Sequence, residues 1–204
     1  GDVYKRQGND PAVRYTGRTL VSPDGSVAFD WVGTYLETRF TGGKLSVKVS
    51  ETGTSYYNVF VDGKLHKVVK VCGTDTLIHL VSGIDKRIHS LKIQKRSEGE
   101  FGKTTVHQFV LSGSGRLAEE PAVRTRHIEF IGNSLTCGYG TDGKHRDEPF
   151  LVETENCNLT FASMVARYYD ADYTLIAHSG RGAARNYGDS VRVSKVTMKD
   201  RMLN

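Results

Sequence analysis

The run from Ile128 to Gly140, I-E-F-I-G-N-S-L-T-C-G-Y-G, constrains this chain more than any other stretch. Residues with apolar and β-forming bias (Ile128, Phe130, Ile131 and the flanking His127) stop abruptly at Gly132. A small polar residue, a serine and another apolar residue follow. This pattern ends a buried strand in a tight turn that projects one hydroxyl, that of Ser134, at the carboxyl edge of a sheet, where open α/β sheets bind their ligands. Further on, 158–170 carries Phe161, Met164, Val165 and Tyr168 at helical spacing, with Asn158 or Thr160 as N-cap. A second strand is expected over Tyr173–Ala177, running into the glycine-rich loop S-G-R-G. Strand, helix and strand in this order make a parallel sheet. Ser190–Leu203, with Val191, Val193 and Val196, fits either a helix or an extended piece.

The front of the chain has a different period. Residues 12–118 alternate apolar and polar positions between turn signals, as a mostly antiparallel β domain does. Val27, Phe29 and Trp31 alternate, as do Leu45, Val47 and Val49. Tyr57, Val59 and Val61 lead into Asp62-Gly63, a type I′ hairpin signal, and Leu65–Val71 returns. Further strands are expected at Thr76–Val81, Ile88–Gln94 and Thr105–Leu111. So many short strands with no helical period predict a jelly-roll-like sandwich. Arg116–Arg126, charged and interrupted by Pro121, is expected to link it to a second domain at 127–204. The opening G-D-V-Y-K-R-Q does not fit the sandwich pattern and is expected to lie outside the fold.

Composition removes several classes. The 28 Lys and Arg against 23 Asp and Glu give a net charge of +5. Nucleic-acid binding needs such charge gathered on one face. Here Lys44, Lys48, Lys64, Lys67 and Lys70 are interleaved with apolar residues, as on the solvent faces of strands. No apolar run approaches the ~20 residues of a membrane-spanning helix. Cys72, Cys137 and Cys157 match no zinc spacing. Cys137, three residues beyond Ser134, is expected beneath the turn as a small hydrophobe; a Cys137–Cys157 disulfide is the alternative.

The turn F-I-G-N-S-L-T-C-G-Y-G resembles the first signature block of the SGNH (GDSL-type) hydrolases, and S-G-R-G-A-A-R-N-Y-G resembles the second. Together they are similar to carbohydrate esterase family 2. Tyr15-Thr16-Gly17-Arg18, Arg39-Phe40-Thr41-Gly42, Val61-Asp62-Gly63 and the stretch from His89-Ser90-Leu91 to Lys95-Arg96-Ser97-Glu98 resemble that family's sandwich. The resemblance implies an all-β jelly-roll-like sandwich followed by an α/β SGNH-hydrolase domain of flavodoxin-like, parallel-sheet type. It implies a secreted or periplasmic serine esterase that removes O-acetyl groups from a polysaccharide or oligosaccharide such as xylan or glucomannan, with no cofactor and no metal.

It also implies roles. Ser134 is the nucleophile and its own N–H one oxyanion donor. Gly182 is the second donor, with Gly180 the runner-up. The family's third donor, an asparagine, and its general-base histidine near the C-terminus have no counterpart here, since no histidine follows Asp189. A chain cut inside the catalytic domain is therefore expected, inactive by itself. Asn133 stands where aspartate is more usual and is expected to fix the turn through backbone hydrogen bonds. His178 ends a strand beside the second block but is not at the base position. His66, His79, His89 and His107 are expected at half-exposed sheet positions, and His145 in a charged loop. Arg185, Asn186 and Tyr187 either line the pocket mouth or, for Arg185, cap the loop. Two rival functions remain: a non-catalytic carbohydrate-binding protein with a degenerate SGNH half, and an SGNH esterase or lipase of other acyl substrates. Aromatic residues around the cleft would favour sugar, a continuous aliphatic groove acyl chains.

Overall fold

The computed structural model describes residues 2–119 and 122–203. Thirteen strands run in chain order: β1 Val3–Gln7, β2 Arg14–Thr16, β3 Leu20–Val21, β4 Val27–Phe29, β5 Tyr35–Phe40, β6 Gly43–Glu51, β7 Thr54–Val61, β8 Lys64–Cys72, β9 Thr76–Ile84, β10 His89–Lys95, β11 Thr104–Ser112, β12 His127–Gly132 and β13 Asp172–Ala177. Three α-helices follow β11: α1 Ser134–Cys137, α2 Phe161–Tyr168 and α3 Met198–Leu203. The protein is mostly β-sheet with few helices.

Two antiparallel sheets face each other. One has the order β3-β4-β11-β6-β9 with β1 added on β11; the other has the order β2-β5-β10-β7-β8. Val47, Val106, Phe109 and Leu111 from the first sheet meet Leu36, Val59, Leu91 and Ile93 from the second in one buried core. Complete burial of each such side chain contributes about 1.5–3 kcal/mol. The β7–β8 hairpin turns through Asp62 and Gly63, both at positive φ (51° and 79°), as a type I′ turn requires. β4 ends at Phe29, so Trp31 falls beyond the strand expected to hold it, with the Arg18 guanidinium 5.5 Å from its ring centroid.

The opening residues are part of this fold, contrary to expectation. β1 pairs antiparallel with β11 from Val3↔Ser112 to Gln7↔Gln108. The residues expected as linker also pack: Leu117 bridges Phe40, and the Ala118 N–H donates to the Arg39 carbonyl at 2.7 Å. Pro121 lies outside the described residues.

β12 and β13 pair in parallel, Ile131 opposite Ile176. This pair covers the outer face of the second antiparallel sheet at β5 and β10, and the period of two shows it, while β8 stays largely exposed. On β5, Leu36 points into the sandwich core and Tyr35 into a second core with Val32, Cys137, Cys157, Ala162, Tyr173 and Leu175. On β10, Leu91 and Ile93 serve the first core, while Gln94 donates to the Tyr173 hydroxyl at 2.6 Å. The Tyr35 hydroxyl donates to Asp172 at 2.6 Å and accepts the Tyr173 N–H at 3.2 Å. Gly33, at φ +78°, sits where a Cβ would lie 2.6 Å from Leu175 Cδ1. The approach is that close.

The helix over 158–170 is present as α2, but its apolar stripe points the other way from the reading of its spacing. Phe161, Met164 and Tyr168 are exposed, and the buried face is Ala162, Ser163 and Ala166. Small residues let the helix come close to the sheet. Thr160 occupies the N-cap, yet its hydroxyl donates to the Cys157 carbonyl rather than accepting a helical N–H. Of the last segment, only Met198–Leu203 is helical.

Candidate active site

Ser134 is the first residue of α1, directly past β12. Asn133 builds the turn: its Oδ1 accepts the Leu135 N–H at 3.1 Å, and its carbonyl accepts those of Thr136 and Cys137 at 3.0 Å each. Gly138 closes it in the left-handed region at φ 81°, its N–H donating to the Ser134 carbonyl. The backbone N–H groups from Leu135 to Gly138 are thus satisfied locally, while Ser134 lines a cavity of about 700 Å³.

Gly180, Arg181 and Gly182 line the same cavity. The loop is shaped by its glycines. Gly182 lies where a Cβ would stand 2.0 Å from the Arg185 carbonyl oxygen, and Gly180 holds φ +77°. The Gly182 N–H donates to Asn186 Oδ1 at 3.1 Å, and Asn186 Nδ2 in turn donates to the Val196 carbonyl at 2.6 Å. Asn186 therefore braces the loop, while Arg185 and Tyr187 line the mouth. Glu100 and Ser179 also line the cavity, and three aromatic rings complete the wall. Tyr139 and Phe150 stack with centroids 3.7 Å apart and planes 8° from parallel, and Phe101 meets Phe150 at 5.4 Å. Among the described residues no aliphatic side chain lines the cavity.

The structure does not bring His178 to Ser134. Its Nδ1 lies 2.7 Å from the Ser179 carbonyl and its Nε2 3.8 Å from Glu100 Oε2, in a neighbouring pocket. Glu98, Glu100 and His178 place one ligand atom each within 4.8 Å of one another. Both Glu98 oxygens, however, already accept hydrogen bonds from Ser179. His89 departs from the half-exposed sheet position expected of it: it is buried at the end of the sandwich, with Nδ1 2.6 Å from Asp62 and Nε2 2.9 Å from Asp85. The hydrogen bond to Asp62 leads in raising its pKa. All three cysteines are free thiols; Cys137 is fully buried under the turn, and burial drives its pKa up.

Beneath the two loops lies a buried polar network that no sequence pattern announced as functional. Lys95-Arg96-Ser97-Glu98 runs on from β10, and all four residues are buried. Lys95 Nζ donates to the Ser97 and Glu98 carbonyls at 2.8 and 3.1 Å; burial lowers its pKa to about 8. Arg96 donates to the Glu155 carbonyl at 3.0 Å and to Asp142 at 2.6 Å. Glu155 Oε1 accepts the Glu98 N–H at 2.6 Å. Burial, then the hydrogen bond and charge of Glu98, push Glu155 up to about 10. Its other oxygen makes no hydrogen bond among the described residues.

Known proteins place this arrangement in a class. Residues 15–121 match the carbohydrate esterase 2 N-terminal family. The chain is 34% identical over 180 residues to the cellulase/esterase CelE of Acetivibrio thermocellus, covering 88% of this chain and 22% of that protein. It is 27% identical over 180 residues to an acetylxylan esterase / glucomannan deacetylase of Cellvibrio japonicus, covering 88% of this chain and 50% of that one. A family two carbohydrate esterase from Clostridium thermocellum, solved in complex with cellohexaose, superposes with a TM-score of 0.83 at 34% identity, covering 88% of this chain and 55% of that chain. These are carbohydrate esterases, and the sequence and fold agree over most of the chain. The chain belongs to carbohydrate esterase family 2. It spans about half the length of the Cellvibrio relative and about a fifth of CelE.

Proposed function

We propose that the protein is a serine carboxylic ester hydrolase that removes O-acetyl groups from polysaccharides of the xylan or glucomannan type, and works outside the cytoplasm. In this reading residues 12–118 are a jelly-roll-like sandwich and 127–204 belong to an SGNH-hydrolase domain. The observation that carries it is Ser134 at the carboxyl edge of a parallel strand, sharing one cavity with the 180–182 glycine loop. The aromatic lining favours a sugar over an acyl chain, because pyranose faces pack on flat rings while acyl tails need an aliphatic groove.

Ser134 Oγ attacks the acetyl carbonyl carbon as its proton passes to a base. The oxyanion is held by the Ser134 N–H and by that of Gly182. The latter rests on the neutral Asn186 Oδ1, and a developing alkoxide is the stronger acceptor. Collapse expels the sugar alkoxide, which is protonated, and water then releases acetate from the acyl-Ser134. No histidine lines the cavity among the described residues, so the base is assigned to none of them.

The test is hydrolysis of an aryl acetate. These 204 residues alone should show no turnover above Ser134→Ala, since a serine without a base is almost fully protonated. A polypeptide extended to the length of the relatives should show turnover that Ser134→Ala abolishes. Its failure to do so would refute the esterase. Ser134-dependent turnover by the 204 residues would show the base to be among them, with His178 the first to substitute.

A further inference from the structure

We propose that Glu98, contributed by the sandwich, is a positioning residue for this site: one buried carboxylate sets the oxyanion loop against the nucleophile turn. The inference rests on the esterase reading for its catalytic meaning but not for its geometry.

Glu98 is 1% exposed. Its Oε1 accepts the Ser179 N–H and its Oε2 the Ser179 hydroxyl, both at 2.6 Å. Ser179 precedes Gly180, so these two bonds fix the direction in which the loop leaves β13. After burial, the charge of Glu98 also holds up the pKa of Cys137, the last residue of the turn that begins at Ser134. Glu98 therefore holds the glycine-loop wall from below without lining the cavity. Its own backbone is held in place, its N–H by Glu155 and its carbonyl by Lys95.

A charge buried this deeply persists only when donors surround it. Here two donors of Ser179 reach it, and Glu155 and Cys137 beside it also favour the charged form. Burial works to raise the Glu98 pKa, but the bonds from Glu155 and Ser179 bring it below the usual carboxylate range. Charge-assisted bonds are shorter and stronger than neutral ones. A loop whose N–H exchanges Asn186 Oδ1 for an oxyanion gains from such an anchor, because a backbone already fixed at Ser179 confines the change to that one bond.

The test is amide hydrogen exchange across 178–188 of the 204-residue chain, compared with Glu98→Gln and Ser179→Ala. Glu98→Gln keeps the shape but replaces one acceptor oxygen by an NH2 group and removes the charge. Exchange at 179–182 is expected to rise about tenfold or more, with β6 and β11 unchanged. Ser179→Ala removes only the hydroxyl arm and should raise it about threefold or more. Wild-type exchange in both variants overturns the proposal; if Glu98→Gln does not fold, Ser179→Ala decides by the same criterion. In a polypeptide with Ser134-dependent aryl acetate turnover, Glu98→Gln should lower kcat about tenfold or more with KM within about threefold, the mark of an interaction felt in the transition state. Unchanged kcat overturns the catalytic part. No Ser134-dependent turnover in the wild type would instead count against the esterase, while the exchange result would still decide the contact.

Discussion

Replacing Glu155 by glutamine should stabilise this protein at neutral pH. In the folded chain Glu155 is completely buried and its pKa is pushed from an ordinary 4.5 to about 10, first by burial and then by the neighbouring Glu98. At pH 7 the unfolded chain has released this proton and the folded chain has kept it. An acid whose folded pKa is raised contributes fully below pH 4.5, and that contribution drains away as pH climbs toward 10. From 4.5 to 7 is about 2.5 pH units, at about 1.4 kcal/mol each, so the loss at pH 7 is about 3 kcal/mol. Glutamine has no proton to lose. Its carbonyl can still accept the Glu98 N–H. For a chain of this size, about 3 kcal/mol is a rise in Tm of roughly 6–12 °C. Thermal melts of wild type and Glu155→Gln at pH 5, 7 and 9 would read it: nearly coincident at pH 5, then separating as pH rises. Parallel curves across that range, or a variant less stable at every pH, would refute the reasoning and mean that Glu155 is ionised in the fold.

Three further outcomes can be checked. A thiol reagent should modify the exposed Cys72 at once, and Cys137 and Cys157, whose thiols burial holds protonated, only at the rate of unfolding; fast modification of more than one cysteine would contradict the structure. Tyr35→Phe leaves the buried Asp172 carboxylate and Tyr173 N–H each short of a partner and should cost about 1–3 kcal/mol by urea unfolding, with no loss expected if that hydroxyl were solvated. Gly33→Ala meets both a left-handed backbone and the Leu175 side chain, and should cost about 2–4 kcal/mol in the same assay.

Much of this was legible in the residues, and the failures share a cause. Period-two alternation located strands such as β6, β7 and β11, and Asp62-Gly63 located their tightest hairpin, because both are local properties. The glycine-asparagine-serine turn after β12 was equally local. What escaped was whatever depended on a partner distant in sequence. Ile131 is exposed at the edge of a two-stranded sheet, whereas Leu175 and Ile176 are buried, Leu175 in the core that the sandwich strand β5 helps to build. The stripe on α2 misled because spacing shows that a helix has two faces and not which one a sheet selects; close packing selected the alanines. β1 has little alternation to detect, since an edge strand is held through its backbone. Glu98 stood in a recognised motif, yet its function needs Glu155, 57 residues away, and Ser179, 81 away.

Strands β5 and β10, covered on both faces, have a consequence for how such chains can recombine. Their odd and even residues answer to different neighbours, so Leu36 can vary with the sandwich interior while Tyr35 must vary with Asp172, Tyr173 and Leu175. A chimera that exchanged the sandwich with a relative's at the 116–126 crossing would inherit one matched set and one mismatched set. Grafts should succeed when the outward residues of β5 and β10, together with Lys95–Glu98, travel with the partner they touch rather than with the strand that bears them.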